Sequence, residues 1–289
     1  MLSLIGMVVV LAMVFGGYMA AGGKVGIILE ALPYELTMIG GAAVGAFLIS
    51  NDMSIVKRSF RDVVSVIKGP RWREDDYRDL LCLLFALIKV GRRDPVALET
   101  HIEEPSSSPI FQAYPRIAAD HESTHLICDT FRLMMMNYDD PHQLEDLLER
   151  ELELHHEQAL AGSGALQTMA DGLPALGIVA AVLGVIKTMA SIDQPPEVLG
   201  KMIGGALVGT FLGVFLAYGF VGPLAARIKQ IVESEHRFYL LVRDTLVANL
   251  QKHSPQICVE VARQALSEPV RPSFDSLEEA LKSAGEAAA

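Results

Sequence analysis

Residues 202–226 read MIGGALVGTFLGVFLAYGFVGPLAA, from Met202 to Ala226, without one charged side chain. About 20 apolar residues are enough to cross the hydrocarbon of a bilayer as a helix. This stretch therefore decides the fold: part of the chain lives in lipid. Within it Gly205, Gly209 and Gly213 recur every fourth residue. Such a strip of small residues lets another helix come close. Thr210, beside the strip, has a hydroxyl that either bonds back to its own helix or lines a polar path.

Three more stretches read as spans: Leu2–Gly22, about Tyr34–Ser50, and about Gly172–Ile192. No Lys or Arg precedes the first, so it reads as a retained helix and not as a signal peptide. The second is short and rich in glycine. The third holds Lys187, which can snorkel from a helix end. Composition agrees, with 51% hydrophobic residues and a mean hydropathy of +0.33. A net charge of -11 excludes a nucleic-acid surface, which needs a basic footprint. Cys82, Cys128 and Cys258 form no CxxC pair and read as small core residues.

The expected fold class is an all-α membrane protein. Residues 1–51 carry transmembrane helices one and two, and 52–171 a cytoplasmic helical domain. Residues 172–226 carry helices three and four, and 227–289 a helical cytoplasmic tail. Gly23–Pro33 and Asp193–Lys201 read as short connections. Lys57, Arg58, Arg61, Lys68, Arg71 and Arg73 follow span two, and Arg227 and Lys229 follow span four. The positive-inside rule puts the long loop and both termini in the cytoplasm of a plasma membrane protein.

Helical spacing recurs at Leu80, Leu81, Leu84, Leu87 and Ile88, at Leu144, Leu147, Leu148 and Leu154, and at Ile228, Ile231, Phe238, Leu241 and Leu246. Pro95–Pro115 holds four prolines and reads as a loop with short turns. Residues 202–252 read as one helix interrupted only by Pro223, roughly 75 Å long.

No Asp or Glu reads as lying inside a span. Glu30, Glu35, Asp171 and Asp193 fall at span ends or in loops. A proton-moving protein needs a titratable group at membrane depth. Either this chain moves no ions, or a partner supplies the carboxylate. Pro174 reads as sitting in the first turn of span three, where a missing N–H costs little. Pro223 closes span four at the same membrane edge, which makes the two a candidate hinge pair.

His121-Glu122-Ser123-Thr124-His125 matches HExxH, a zinc-ligand spacing when helical. Nothing else in the chain reads as a metalloprotease, so a solvated helix face is favoured, and no metal, cofactor or enzyme activity is expected. Asp139–Glu157 has eight acids against one base, Arg150, and reads as a solvated face. Gly91, Arg92, Arg93, Asp94 and Glu99 make a mixed-sign surface cluster.

These residues resemble a family. Asp171-Gly-Leu-Pro174-Ala-Leu-Gly177-Ile-Val-Ala-Ala181 and Val208-Gly-Thr210-Phe-Leu-Gly213 through Tyr218 to Pro223 look like the A subunit of flagellar stators, the MotA family. Ile110-Phe-Gln-Ala-Tyr114-Pro-Arg-Ile117 and Arg271-Pro-Ser-Phe274 look similar as well. The resemblance implies a ring, a pentamer, of this subunit around a MotB-like B subunit that brings a membrane aspartate, and contact with the rotor protein FliG. It implies ion-path positions at Thr210 and Ala181, conformational coupling at Pro174 and Pro223, and rotor contact at Glu99. The family's arginine lies eight positions before that acid, where this chain has Gly91; Arg92 and Arg93 are the substitutes. Ala181 falls where sodium-driven relatives have threonine, so the resemblance implies a proton. Glu151 matches a further cytoplasmic acid. The alternative is an energiser of outer-membrane transport like ExbB and TolQ, proteins that usually have three spans.

Overall fold

The computed structural model describes residues 2–287. In chain order its helices are α1 (Leu2–Ala20), α2 (Val25–Ser50), α3 (Met53–Lys68), α4 (Glu74–Arg93), α5 (Pro95–Glu103), α6 (Pro109–Gln112), α7 (Pro115–Ala118), α8 (His121–Met135), α9 (Pro141–Met189), α10 (Pro196–Leu250), α11 (Pro255–Ala265) and α12 (Phe274–Ala287). No strand occurs among the described residues. Helices α1, α2, α9 and α10 are long and apolar enough to cross a membrane. The all-α, four-span expectation therefore holds. The chain divides into two units: residues up to Gly69 with Ala159–Ile231, and Pro70–Gln158 with Val232 onward.

In the first unit, the readings at Pro33 and Pro174 change, while the helix through Pro223 runs on as expected. Gly23–Pro33 is not a connection, because α2 already begins at Val25. Gly22, at φ +82°, makes the turn, and Val25–Leu32 is apolar apart from Glu30. Pro33 sits inside this helix and has no N–H for the carbonyl of Leu29. The helix continues by widening into a π-turn over Leu36–Gly40, and the Thr37 hydroxyl donates to the Pro33 carbonyl at 2.8 Å. Asp193–Lys201 is likewise mostly helix, since α10 starts at Pro196.

Pro223 shows the same device. A π-turn over Ala217–Val221 precedes it, so α10 is loosened before the proline and not at it. Pro174 does not open a helix at all. It lies in the interior of α9, where the carbonyl of Ala170 lacks its usual N–H partner.

The first unit packs Ile39 and Ala43 of α2, Leu173 and Ala180 of α9, and Leu212 and Ala217 of α10. A smaller cluster joins Phe47, Val56 and Ala165. It ties the amphipathic α3 to this unit, and the Ser59 hydroxyl donates to the carbonyls of Ile55 and Gly162. Helix α1 leaves most of its apolar side chains exposed. It leans on α10 through Phe15, whose ring meets Phe211 and Phe215 edge-on at 6.1 and 5.6 Å.

The second unit is built around α4, whose residues Leu80–Ile88 are all buried. A helix apolar all round belongs in a core. Burial pushes the Cys82 thiol up to about 11 and the Cys128 thiol up to about 12, and all three cysteines are free and buried. Pro95–Pro115 is more ordered than a loop: Pro95, Pro109 and Pro115 each start a short helix. Proline suits that position because the first-turn N–H has no partner anyway. Asp94 and Ser108 cap the first two. On α9 the buried leucines are Leu144, Leu148 and Leu152, whereas Leu147 and Leu154 are exposed.

Two buried carboxylates hold the connections around α4. Asp76 accepts from the Arg73 amide at 2.8 Å and pairs with Arg116 at 3.0 Å. Asp120 caps α8, accepting from the Ser123 amide and hydroxyl at 3.0 and 2.6 Å, and pairs with Arg71 at 2.5 Å. Arg71 lies over Trp72, which stacks on Phe238 at 4.0 Å.

Trp72 is the sole tryptophan, so its fluorescence reports on the second unit. Asp120→Ala removes a cap and half of a partly buried ion pair. The expected loss is about 2 kcal/mol. Urea unfolding of the full chain in detergent, followed by Trp72 emission, should show the midpoint fall; an unchanged midpoint would contradict the assignment.

Candidate functional site

The apolar parts of α9 and α10 run antiparallel and touch backbone to backbone. Gly177 meets Gly213, Ala180 and Ala181 meet Gly209, and Gly184 meets Ala206. A Cβ on Gly213 would stand 2.7 Å from the Leu173 carbonyl oxygen, and one on Gly177 would stand 2.8 Å from the Gly209 carbonyl oxygen. Neither neighbour is a side chain that can swing away. The glycine strip is thus a packing surface for α9 over most of its length. Gly205, at its end, looks instead toward Ala31 of α2 at 3.9 Å.

The finding that sequence reading missed is Glu35. In sequence it reads as lying at the end of a span, yet it lies inside one, because α2 is longer than its uncharged part. The residue is only 5% exposed, and its Oε2 has no hydrogen-bond partner. That oxygen faces Gly209: a Cβ there would come within 2.6 Å of it, and within 3.2 Å of the Ala181 nitrogen. The first unit therefore carries its own carboxylate among its membrane helices. The apolar residues Ile27, Ile28 and Leu29 ahead of Pro33, with no stop signal after them, were the available clue.

Of the expected ion-path residues, Ala181 lies at this contact, and Thr210 is half-buried one residue along α10 from it. Ala181 packs on Gly209, the residue before Thr210. Thr37, Thr130, Thr168, Thr188 and Thr245 each donate to the carbonyl four residues earlier. The half-buried Thr210 hydroxyl is not among those that bond back. Pro174 follows Leu173, whose carbonyl oxygen packs against Gly213, and Pro223 is exposed after its π-turn.

The second unit presents the mixed-sign cluster. Glu99, Arg92 and Arg93 are exposed. The Arg92 guanidinium donates to the Asn249 side chain at 2.6 and 3.0 Å and to the His253 carbonyl. Gly91 has a packing reason: a Cβ there would lie 2.7 Å from Leu98 Cδ2. The α4–α5 turn folds over the space a side chain would take.

His121 and His125 stack at 5.6 Å, and His125 pairs with Asp129 at 3.0 Å. His156 stacks on His236 at 4.2 Å. Among the described residues no three His, Cys, Asp or Glu side chains are arranged to hold a metal ion.

Two families match the chain: Motility protein A N-terminal over residues 4–95, and the MotA/TolQ/ExbB proton channel family over residues 118–239. The chain is 40% identical over 280 residues to Motility protein A of Salmonella typhimurium, covering 96% of this chain and 94% of that one. It is 38% identical over 279 residues to Chemotaxis protein LafT of Vibrio parahaemolyticus, covering 96% and 97%. The fold is shared with C. jejuni MotAB, with a TM-score of 0.71 and 20% identity over 94% of this chain and 98% of that one. It is also shared with the flagellar MotAB stator complex of Bacillus subtilis, at 0.69 and 20% over 96% and 99%.

The close approach at Gly213 predicts that Gly213→Val strips the protein from membranes, because two backbones would have to separate. Gly205→Ala should leave the membrane level near wild type. Quantitative immunoblots of membrane fractions check the pair; equal levels of both would contradict the packing described.

Proposed function

The chain belongs to the motility protein A family, within the MotA/TolQ/ExbB proton channel family, and from that premise we propose that it is the A subunit of a flagellar stator. The observation that carries the reading is collinearity with Motility protein A over nearly the full length of both chains. The energiser alternative is weaker, because the match over residues 4–95 takes in the first two spans that such three-span proteins do not share. The chain works with a B subunit that supplies a membrane aspartate, in a ring of copies, likened to a pentamer, and turns proton flow into torque on a rotor protein of the FliG kind. The long loop and both termini are cytoplasmic in this reading, which the basic residues after spans two and four support.

The geometry is consistent with each of these roles. Thr210 offers a hydroxyl not spent on its own helix, so it is available to water or a proton in the path. Ala181, across from Gly209, offers only a methyl. A sodium ion needs oxygen atoms to replace its hydration shell, and a proton does not. Pro174 and Pro223 leave backbone carbonyls without donors, so these helices bend at less cost there than elsewhere. Glu99, Arg92 and Arg93 form the charged contact for the rotor. Arg92 has its guanidinium held by Asn249 and His253, so its charge is fixed in place.

A strain deleted for this chain should have intact, paralysed flagella, and the gene returned in trans should restore swimming. Normal swimming after deletion would overturn the reading and redirect attention to uptake across an outer membrane. Glu99→Lys should slow swimming while the membrane level stays normal; loss of the protein from membranes would mean a folding role. Pro174→Leu should be more harmful than Thr210→Ala in soft-agar swarms, because a water can stand in for a hydroxyl, whereas the proline sits inside a continuous helix. Equal paralysis would count against that ranking.

A further inference from the structure

The stator reading leaves the membrane carboxylate to the B subunit. Glu35 is not used by that reading. It projects from a membrane helix, it is nine-tenths buried, and its Oε2 has no donor. An ionised carboxylate left alone in an apolar site is costly. A titratable group kept at that depth is functional by default.

The surroundings narrow what it can bind. From α9 it faces Ala180 and Ala181, and from α10 it faces Gly209, none of which carries a charge. On the other side it lines a cavity of about 490 Å³. The remaining charged groups on that cavity are Glu30 on its own helix, Lys187 on α9 and Lys201 at the start of α10, with Tyr34 beside them. No ion pair of Glu35 with either lysine occurs among the described residues. The cavity is large and polar enough to hold water. Lys187 and Lys201 lie toward the α9–α10 hairpin, while Glu35 both lines the cavity and has its Oε2 against Gly209. An acceptor oxygen with no donor and no cation beside it is satisfied most simply by a proton.

We propose that Glu35 is a proton-binding carboxylate of the ion path supplied by this chain itself. An excess proton carried in as hydronium through the cavity water passes to the carboxylate, leaving water behind and the side chain as the carboxylic acid. The acid then releases that proton along the side of α9 that carries Ala181, and the carboxylate is restored. The next acceptor is the B subunit's aspartate. This rests on the stator reading, and it adds a second titrating step, on the cavity side of Gly209.

The test uses the full chain expressed with its B subunit in the deletion strain, with rotation of tethered cells measured across external pH. Wild type must first restore rotation; if it does not, the stator reading fails and not this one. With rotation restored, Glu35→Gln should cut speed about ten-fold or more at normal membrane level, because an amide takes up no proton. Glu35→Asp should rotate with a shifted pH dependence, since the shorter side chain draws the carboxylate back from Gly209. Glu35→Gln cells that rotate like wild type at every pH would overturn the proposal. If the glutamine variant is missing from membranes, the aspartate variant decides: a shifted profile supports a proton-binding role, and an unshifted one overturns it.

Discussion

The contact of α9 with α10 through bare backbone is the constraint on which the membrane unit depends. Three meeting points, at Gly177 with Gly213, Ala181 with Gly209 and Gly184 with Ala206, set one register. In lipid there is little hydrophobic gain from helix association, so close van der Waals contact and small side chains must do the holding. The same contact clears the space at Gly209 into which Glu35 reaches. A larger residue there would close the packing and the polar position together. Structure and chemistry are thus set by the same missing side chains.

The second unit solves a different problem. Its core is aqueous in kind: a wholly buried α4, with leucines and aromatics from α8, α9 and α10 around it. Asp76 and Asp120 are buried there, and each is matched to an arginine and to backbone or hydroxyl donors. Such groups stabilise little by themselves, but removing one partner is costly. They fix how α4 and α8 begin. Arg92, tied to Asn249 and His253, fixes how α4 ends and orders the surface that carries Glu99.

Charge-free runs made the four spans legible, because exclusion of charge from hydrocarbon is strong and local. The glycine strip foretold close packing for the same reason. Prolines were read less well. Pro33 and Pro174 look like helix boundaries in sequence, yet a long helix keeps enough other hydrogen bonds to pass them, as the run through Pro223 does, with a π-turn after Pro33 and before Pro223. Glu35 was misplaced through that error: beside Pro33, at the edge of an uncharged stretch, it resembled a loop carboxylate. Its burial depends on Gly209, far off in sequence, and no local pattern reports that. Likewise Gly91 reads as a departure from a family pattern, and the structure shows Leu98 packed against it.

The most direct test of proton-driven torque is the rotation of tethered cells while the two ion gradients are changed one at a time. Collapse of the proton gradient with an uncoupler at constant external sodium should stop rotation. Replacement of sodium by potassium at constant pH should leave the speed unchanged. Rotation that survives the uncoupler but stops without sodium would contradict the account, and Ala181 would then have to be no barrier to a sodium path.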